Sequence, residues 1–470
     1  MSTADLPASD LVRLTTSGGA SAKEVVEASL ERITRRNPGL NAFSVVLADE
    51  ARADAARLDT LIAEGGQPGP LHGVPVAIKE ELDVAGCVTT FGGSANSTPV
   101  TEDGEVVRRL RQAGAVIIGK TRMPEFGQWP FTESVAGGVT RNPWDRGHTP
   151  GGSSGGTAAA VASGMVPVGL GGDGGGSIRI PAACCGLFGL KPSRGRVTSH
   201  PMPHLWWALG TTGPLTRTVL DSALVYDVIR GNLAGDRFTL EEPSTSFIAA
   251  AGADPGRLRV GWSTVPVTKG VKPAAEHVAA VHSMVTLLAG LGHDVREIDP
   301  HYPDPTAAFI PQFLGGVRAE ADAMEHFGRL EKRTRETYRL GGWVSPNLVE
   351  KAMAAGDKVA ERANRVFTGF PGQAGVDVLL SPVIGPRPRR VGALNRGGTI
   401  AMSVKSRPMV AWTALWNVTG NPAASVPAGI AADGLPVAVQ LVGRMGDEPT
   451  LLSLSAQIER AQAWPLLTDA

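Results

Sequence analysis

The stretch from Gly151 to Ala183 holds two glycine-rich groups that flank a short apolar run. The first group, GGSSGG, encloses Ser153 and Ser154, and the second, DGGGS, places three glycines directly before Ser177. Glycine costs a folded chain conformational entropy, so this density indicates that the backbone must approach another group closely. Because serines accompany the glycines, a substrate carbonyl is one candidate for that group.

The composition of the 470-residue chain favours a globular enzyme. The formal net charge is zero, from 45 basic and 45 acidic residues, which argues against nucleic acid or an anionic membrane as the main partner. The sequence shows no signal peptide and no uninterrupted apolar run of about 18 residues, so we expect no membrane span and a cytoplasmic location. The three cysteines, Cys87, Cys184 and Cys185, do not form a disulfide framework and are expected to be buried thiols.

Apolar segments alternate between strand-like and helix-like patterns. A run at 74–78 predicts a buried strand that ends at Lys79, and helix–strand pairs follow at 106–121 and 158–170. This alternation predicts an α/β fold, with a mixed, mostly parallel sheet covered by helices on both faces.

We find no linker that would divide the chain, so we predict one domain over residues 1–470. Its N-terminal part, about 7–64, is predicted to be helical, with a capping box formed by Ser21 and Glu24. Residues 305–367 are charged and poor in glycine, which predicts a peripheral helical insertion.

Two motifs in the glycine-rich stretch point to other chemistries. Residues 151–155 satisfy G-x-S-x-G, the nucleophile elbow of α/β-hydrolase esterases with a Ser–His–Asp triad, but the preceding segment has the composition of a loop and not of a strand. Residues 169–174 satisfy G-x-G-x-x-G, which can bind a dinucleotide. Pro181 follows too soon for a long helix, and Arg194 stands where an acidic ribose ligand is expected. The scattered histidines form no metal-binding motif.

Ser177 is an alternative nucleophile. A serine hydroxyl is a weak nucleophile at neutral pH and needs a base, a role that an uncharged lysine can fill. Lys79 follows an apolar run that suits partial burial. Taken alone, Lys79 is better explained as an exposed lysine paired with Glu80 or Glu81.

The complete set of segments resembles the amidase signature family. Lys79 with DVAG at 83–86, then GGSSGG, then DGGGSIRIPAACCGLFGLKPSRG occur in the family's order, and nearly the full chain continues in that order with GKTRMPEF, GPLTRT, LLSPV, NVTGNPAASVPAG and GLPVAVQLVG. The resemblance implies the fold of that family and an amidase that cleaves the C–N bond of a carboxamide without a metal or an organic cofactor.

The resemblance also implies the catalytic residues. Lys79 is the base, Ser153 relays the proton, and Ser177 is the nucleophile that forms an acyl-enzyme; the separation of 24 residues between the two serines is that of the family. The implied oxyanion hole consists of backbone N–H groups, those of Gly174, Gly175, Gly176 and Ser177. Asp173 and Arg179 are implied to be a structural ion pair. Ser154 is expected to hydrogen-bond to the backbone or to cap a helix.

Departures from the family pattern favour a stand-alone amidase. The A subunit of the glutamine-dependent tRNA amidotransferase carries glutamine where this chain has Ile180, and a Tyr-Gly pair where this chain has Ser193-Arg194-Gly195. An amidotransferase subunit that uses glutamine remains the alternative.

Aromatic and apolar residues in segments that face the site in this family suggest an apolar or aryl amide as substrate. They are equally explained by core packing. The expected partner is this small-molecule amide, and the sequence is compatible with a homodimer. The candidate pocket residues are Trp129, Phe131, Met202, Trp206, Trp207, Trp412 and Trp416.

Overall fold

Fifteen β-strands lie within the residues that the computed structural model describes, 3–204 and 206–467. In chain order they are β1 (Phe43–Val46), β2 (Pro75–Lys79), β3 (Val116–Thr121), β4 (Glu133–Ser134), β5 (Gly138–Val139), β6 (Val168–Gly172), β7 (Phe188–Lys191), β8 (Thr212–Thr216), β9 (Arg259–Trp262), β10 (Asp294–Glu297), β11 (Gly369–Phe370), β12 (Gln373–Ala374), β13 (Val378–Pro382), β14 (Ala423–Ile430) and β15 (Pro436–Val442). Eleven of them form one sheet, in the order β1-β3-β2-β6-β8-β7-β14-β15-β13-β9-β10.

The same described residues form sixteen α-helices. They are α1 (Ala8–Thr16), α2 (Ala22–Leu40), α3 (Ala48–Ala63), α4 (Glu105–Gln112), α5 (Gly155–Ala162), α6 (Arg179–Cys185), α7 (Val219–Ile229), α8 (Phe247–Gly252), α9 (Ala275–Gly290), α10 (Thr306–Asp322), α11 (Lys332–Leu340), α12 (Pro346–Ala363), α13 (Arg365–Thr368), α14 (Thr399–Ser406), α15 (Ala414–Thr419) and α16 (Glu448–Ala461). Within the described part of the chain, no helix has the length and apolar character needed to cross a membrane.

The large sheet is mixed, as the sequence predicts. Two groups of three strands, β3-β2-β6 and β13-β9-β10, are parallel, and antiparallel pairs connect the strands between these groups. The short strand β1 pairs antiparallel with β3 at one edge.

Helices cover both faces of this sheet. Successive side chains of a strand point to opposite faces. Accordingly, Val76 and Ile78 of β2 pack in a buried cluster with residues of α4, α7 and α16, whereas Ala77 packs in a second cluster with residues of α2, α5 and α6. The predicted mixed α/β sheet with helices on both faces is confirmed.

The N-terminal segment shows one predicted feature and one unexpected feature. The capping box is present, since the Glu24 N–H donates to Ser21 Oγ at 3.1 Å and the Ser21 N–H donates to Glu24 Oε2 at 2.8 Å. The helical prediction for 7–64 missed β1, because four residues between two longer helices are too few to reveal an alternating pattern.

The topology brings distant segments together at the C-terminal ends of two inner strands. Strands β2 and β6 are parallel neighbours, so their last residues, Lys79 and Gly172, lie at the same end of the sheet. Helix α5 begins immediately after Ser153 and Ser154, and the chain after β6 reaches Ser177 just before α6. The serines and the lysine therefore meet at the C-terminal ends of β2 and β6.

Candidate active site

Lys79 ends β2 with its amino group buried. Its exposed fraction is 1%. The Nζ donates to Ser153 Oγ at 2.9 Å and to the Gly172 carbonyl at 3.5 Å, and it lies 3.1 Å from Glu81 Oε1. The burial rules out an exposed lysine, although the ion pair with a neighbouring glutamate is present.

The two glutamates that follow Lys79 have different surroundings. Glu81 contacts the lysine and faces a cavity, whereas Glu80 is buried and its Oε2 accepts a hydrogen bond from the Met123 N–H at 3.4 Å. Burial raises the pKa of Glu80. Of the two glutamates, only Glu81 contacts the amino group of Lys79.

Ser153 and Ser177 line one cavity with Lys79. The cavity encloses about 410 Å³ of space, part of it open to solvent. The Ser154 N–H donates to the Ser177 carbonyl at 3.3 Å and joins the two serine-bearing loops. Neither serine hydroxyl hydrogen-bonds to the other in the described structure. The other lining residues are Glu81, Phe91, Phe126, Gly127, Gly172, Asp173, Gly174, Met202, Trp206, Gly210 and Glu320.

Glycines of the first group approach other parts of the protein. A methyl group on Gly152 would lie 2.5 Å from the backbone nitrogen of Phe131, and one on Gly156 would lie 2.5 Å from the backbone nitrogen of Arg122. These two glycines therefore allow close backbone packing around the serines, whereas the sequence had suggested a substrate carbonyl as the neighbour.

The second glycine group forms part of the cavity wall. A methyl group on Gly174 would lie 2.7 Å from the ring of Trp206, and Gly176 has a φ of +127°, which disfavours any side chain. The Gly176 N–H donates to Asp173 Oδ1 at 2.7 Å. The N–H groups of Gly174, Gly175 and Ser177 have no acceptor among the described residues. These three donors, and not that of Gly176, are free to bind a ligand.

Asp173 and Arg179 form a fully buried ion pair with two hydrogen bonds. Arg179 Nε donates to Oδ2 and Nη2 donates to Oδ1, each at 3.0 Å. Asn417 also donates to Oδ1, at 2.8 Å. Burial alone would raise the pKa of Asp173, but the Arg179 guanidinium and the Asn417 amide hold it well below its usual range. The pair fixes the loop that carries Ser177.

We expect the Arg179→Met variant to lose about 3–5 kcal/mol of unfolding free energy, because the substitution leaves a buried carboxylate without its cation. Urea denaturation at pH 7 measures this loss. Arg13→Met, which removes a 78% exposed guanidinium, is the matched control and should change stability by less than about 1 kcal/mol. A loss of the same small size in both variants would contradict the structural role of the pair.

The contribution of the same ion pair to the stability of the protein depends on pH. Asp173 has a lower pKa in the folded protein than in the unfolded chain, where it is about 3.9. Its contribution to stability is therefore complete at neutral pH and is lost as the pH falls below about 4.

Ser154 supports the backbone of the site. Its Oγ donates to the Gly172 carbonyl at 3.2 Å, which agrees with the predicted backbone hydrogen bond. It occupies the N-cap position of α5, but its side chain accepts no hydrogen bond from that helix.

Most of the candidate pocket residues lie away from the cavity. Met202 and Trp206 line it. Trp207 stacks on His204, with ring centroids 4.0 Å apart, and lines a neighbouring cavity. The other four are buried in the core, because large rings there bury more apolar surface than they would in a solvent-filled cleft. These four are Trp129, Phe131, Trp412 and Trp416.

Three side chains that line the cavity were not predicted from the sequence. Phe91 and Phe126 lie in irregular segments after β2 and β3 and both have positive φ angles. Glu320 lies on α10, within the charged segment that was assigned to the periphery. No local pattern could have identified them, because only tertiary packing brings them to Ser177.

The G-x-S-x-G and G-x-G-x-x-G motifs lack the neighbouring strand and helix that an esterase and a dinucleotide site require. No strand directly precedes Ser153, and no histidine occurs among the described residues that line the cavity. After the G-x-G-x-x-G segment, α6 begins only at Arg179 and has seven residues. A nucleophile elbow needs a strand before the serine, and a dinucleotide site needs a helix directly after the glycines.

The amino-acid sequence is similar to those of known amidases. The family model described as Amidase matches residues 24–452. The chain is 46% identical over 454 residues to "Putative amidase AmiB2" of Mycobacterium tuberculosis (strain ATCC 25618 / H37Rv), with 96% of this chain and 95% of that protein covered.

Solved structures are similar over nearly the whole chain. The structure of 6-aminohexanoate cyclic dimer hydrolase complexed with substrate has a TM-score of 0.90 and 30% identity, and covers 98% of this chain and 97% of that one. A bacterial aryl acylamidase of the amidase signature enzymes family has a TM-score of 0.85 and 29% identity, with 98% and 96% covered.

Proposed function

Because the chain belongs to the amidase signature family, whose members hydrolyse amide C–N bonds, we propose that it is a stand-alone amidase with Lys79, Ser153 and Ser177 as its catalytic residues. The observation that carries this proposal is the position of the three side chains around one cavity, with the Lys79 amino group 2.9 Å from Ser153 Oγ. A base must lie within hydrogen-bond reach of the group whose proton it accepts, and Lys79 meets this condition toward Ser153.

In the proposed acylation step, uncharged Lys79 accepts the proton of Ser153 as Ser153 accepts the proton of Ser177. The Ser177 oxygen then bonds to the amide carbonyl carbon. The resulting tetrahedral intermediate collapses when the C–N bond breaks and the relay returns a proton to the leaving amine. Catalytic hydrogen bonds are often longer in free enzymes than in substrate complexes, so the two serine hydroxyls have to approach each other when the amide binds.

In the proposed deacylation step, water replaces the amine. The same relay accepts a proton from the water, whose oxygen attacks the acyl carbon, and Ser177 leaves with a proton from Ser153. The carboxylic acid departs and the free enzyme is restored.

The free backbone N–H groups at and just before Ser177 suit an oxyanion hole. Those of Gly174, Gly175 and Ser177 can donate to the negative oxygen of the tetrahedral intermediate, and each such donor is worth roughly 3–4 kcal/mol of the barrier. The Gly176 N–H contributes indirectly, since it ties the loop to Asp173.

The surroundings of Ile180 favour an amidase over a glutamine-using amidotransferase subunit. Its side chain is 1% exposed and packs in the hydrophobic cluster of α2, α5 and α6. It therefore offers no polar group for the side chain of glutamine.

The cavity wall favours an apolar or aryl amide as substrate. Its apolar side chains are those of Phe91, Phe126, Met202 and Trp206. Burial of a benzyl-sized group against such a wall is worth about 2 kcal/mol. The similarity to a structure described as an aryl acylamidase supports the same substrate class.

Hydrolysis of a panel of amides tests the proposal. The purified protein should cleave anilides and primary amides of aromatic or long-chain acids with a kcat/KM at least about tenfold above that for glutamine or acetamide. Equal or faster cleavage of glutamine would favour the amidotransferase subunit. Cleavage of esters alone, abolished by substitution of a histidine and not of Lys79, would favour the Ser–His–Asp hydrolase.

A further inference from the structure

Glu320 places a third carboxyl group in the cavity, besides those of Glu81 and Asp173, and is distant in sequence from all the proposed catalytic residues. It lies near the C-terminal end of α10 and lines the cavity together with Glu81 and Trp206. The proposed reaction assigns it no task.

One oxygen of the Glu320 carboxyl group lacks a hydrogen-bond partner among the described residues. Its Oε2 is buried and makes no hydrogen bond with any residue that the structure describes. Burial raises the pKa of Glu320 well above its usual range, although a hydrogen bond with the Trp206 side chain opposes this increase. The neutral form is therefore favoured in the free protein, and a cation bound beside Glu320 would favour the carboxylate. A buried polar oxygen without a donor costs free energy, so a bound ligand that supplies the donor would be favoured.

The other carboxyl groups of the cavity are already paired. Asp173 is bound by Arg179, and Glu81 lies 3.1 Å from the amino group of Lys79. Among the lining residues of the described chain, Lys79 is the one cationic side chain. The cavity therefore has more acidic than basic side chains. Glu320 is the acidic one that forms no ion pair in the described structure.

The cavity that Glu320 lines also contains aromatic rings. Phe91, Phe126 and Trp206 line the same cavity, and the Trp206 ring packs between Gly174 and Gly316 of α10. Aromatic faces attract cations, most strongly where water is excluded. A cavity lined by both a carboxylate and aromatic rings is a favourable environment for an ammonium group.

We propose that Glu320 is a specificity-determining residue that binds a protonated amino group of the substrate, so that the preferred amides combine an aromatic or apolar body with an ammonium group remote from the scissile bond. This inference rests on the proposed function, because it assumes that the cavity is the substrate site. The ammonium group supplies the hydrogen-bond donor that Oε2 lacks, together with a positive charge.

Calorimetric binding of two matched probes tests the inference at pH 7.5. The probes are 4-phenylbutylammonium and 4-phenylbutan-1-ol, which share the aromatic body and differ in charge. The wild-type protein should bind the ammonium at least about tenfold more tightly than the alcohol, and Glu320→Gln should reduce this ratio by about tenfold or more. Glu361→Gln, which changes an exposed glutamate on α12, is the control and should leave the ratio unchanged.

Two outcomes would overturn the inference. The alcohol could bind the wild-type protein as tightly as the ammonium, as expected if Glu320 stays protonated and donates to a neutral group. Alternatively, the preference for the ammonium could persist in Glu320→Gln. The first comparison needs no variant and so does not depend on how Glu320→Gln folds.

The binding measurement also separates this inference from the proposed function. It requires no turnover and can be repeated on Ser177→Ala. Ammonium preference without amide hydrolysis by the wild-type protein would contradict the proposed function alone. Hydrolysis of amides without ammonium preference would contradict the role of Glu320 alone.

Discussion

Replacement of Ser177 by alanine is expected to reduce kcat for amide hydrolysis by a factor on the order of 10⁴ or more, because the variant has no oxygen that can form the acyl-enzyme. The side chain is small and lies at the cavity, so the variant should keep the stability of the wild-type protein. Initial rates with an aromatic anilide, together with melting temperatures, measure both quantities.

Ser163→Ala is the matched control for Ser177→Ala. Ser163 is also a buried serine, at the C-terminal end of α5, and its Oγ donates to the Ala159 carbonyl at 2.6 Å, away from the cavity. This variant should retain most of the activity. If Ser177→Ala retained more than about a tenth of wild-type kcat, Ser177 could not be the nucleophile.

Replacement of Lys79 by methionine is expected to lower kcat by about 10²–10⁴, the usual contribution of general acid–base catalysis. Methionine nearly preserves the length of the side chain but cannot accept a proton. The Lys79→Arg variant should be similarly inactive, because arginine keeps the positive charge yet remains protonated. A substantial recovery by arginine would show that Lys79 is needed for its charge and not as a base.

Lys120→Met provides the control for Lys79→Met. Lys120 lies on the adjacent strand β3, is 1% exposed, and donates to the Val88 carbonyl at 3.3 Å without lining the cavity. Burial lowers the pKa of Lys120. Because it has no access to the serines, we expect its substitution to affect stability more than kcat. Equal losses of kcat in the two variants would argue against a specific role of Lys79.

The sequence predicted the elements that carry the proposed catalytic residues. The apolar run before Lys79 indicated a buried strand, and β2 ends at that residue. The capping box of Ser21 and Glu24 could also be predicted, since its sequence pattern spans only four residues. The mixed sheet followed from the alternation of helices and strands. These features depend on a few neighbouring residues, which is the range over which sequence patterns are informative.

The walls of the cavity were not predictable in the same way. Trp412 and Trp416 occur in a segment near the site, yet their rings point into the core, and Trp412 donates from Nε1 to the Val265 carbonyl at 3.0 Å. Glu320 faces the cavity although the charged segment 305–367 that contains it is predicted to be peripheral. Whether a helical side chain faces a cavity or solvent depends on how the helix packs, which neither composition nor periodicity encodes.

Covalent labelling tests the central claim, that Ser177 is the nucleophile, most directly. The protein is treated with a fluorophosphonate, digested and examined by mass spectrometry. One adduct is expected on Ser177, absent from Ser177→Ala and formed much more slowly in Lys79→Met. An adduct on Ser153 or Ser154, or no adduct in an enzyme that hydrolyses amides, would contradict the assignment of Ser177 as the nucleophile.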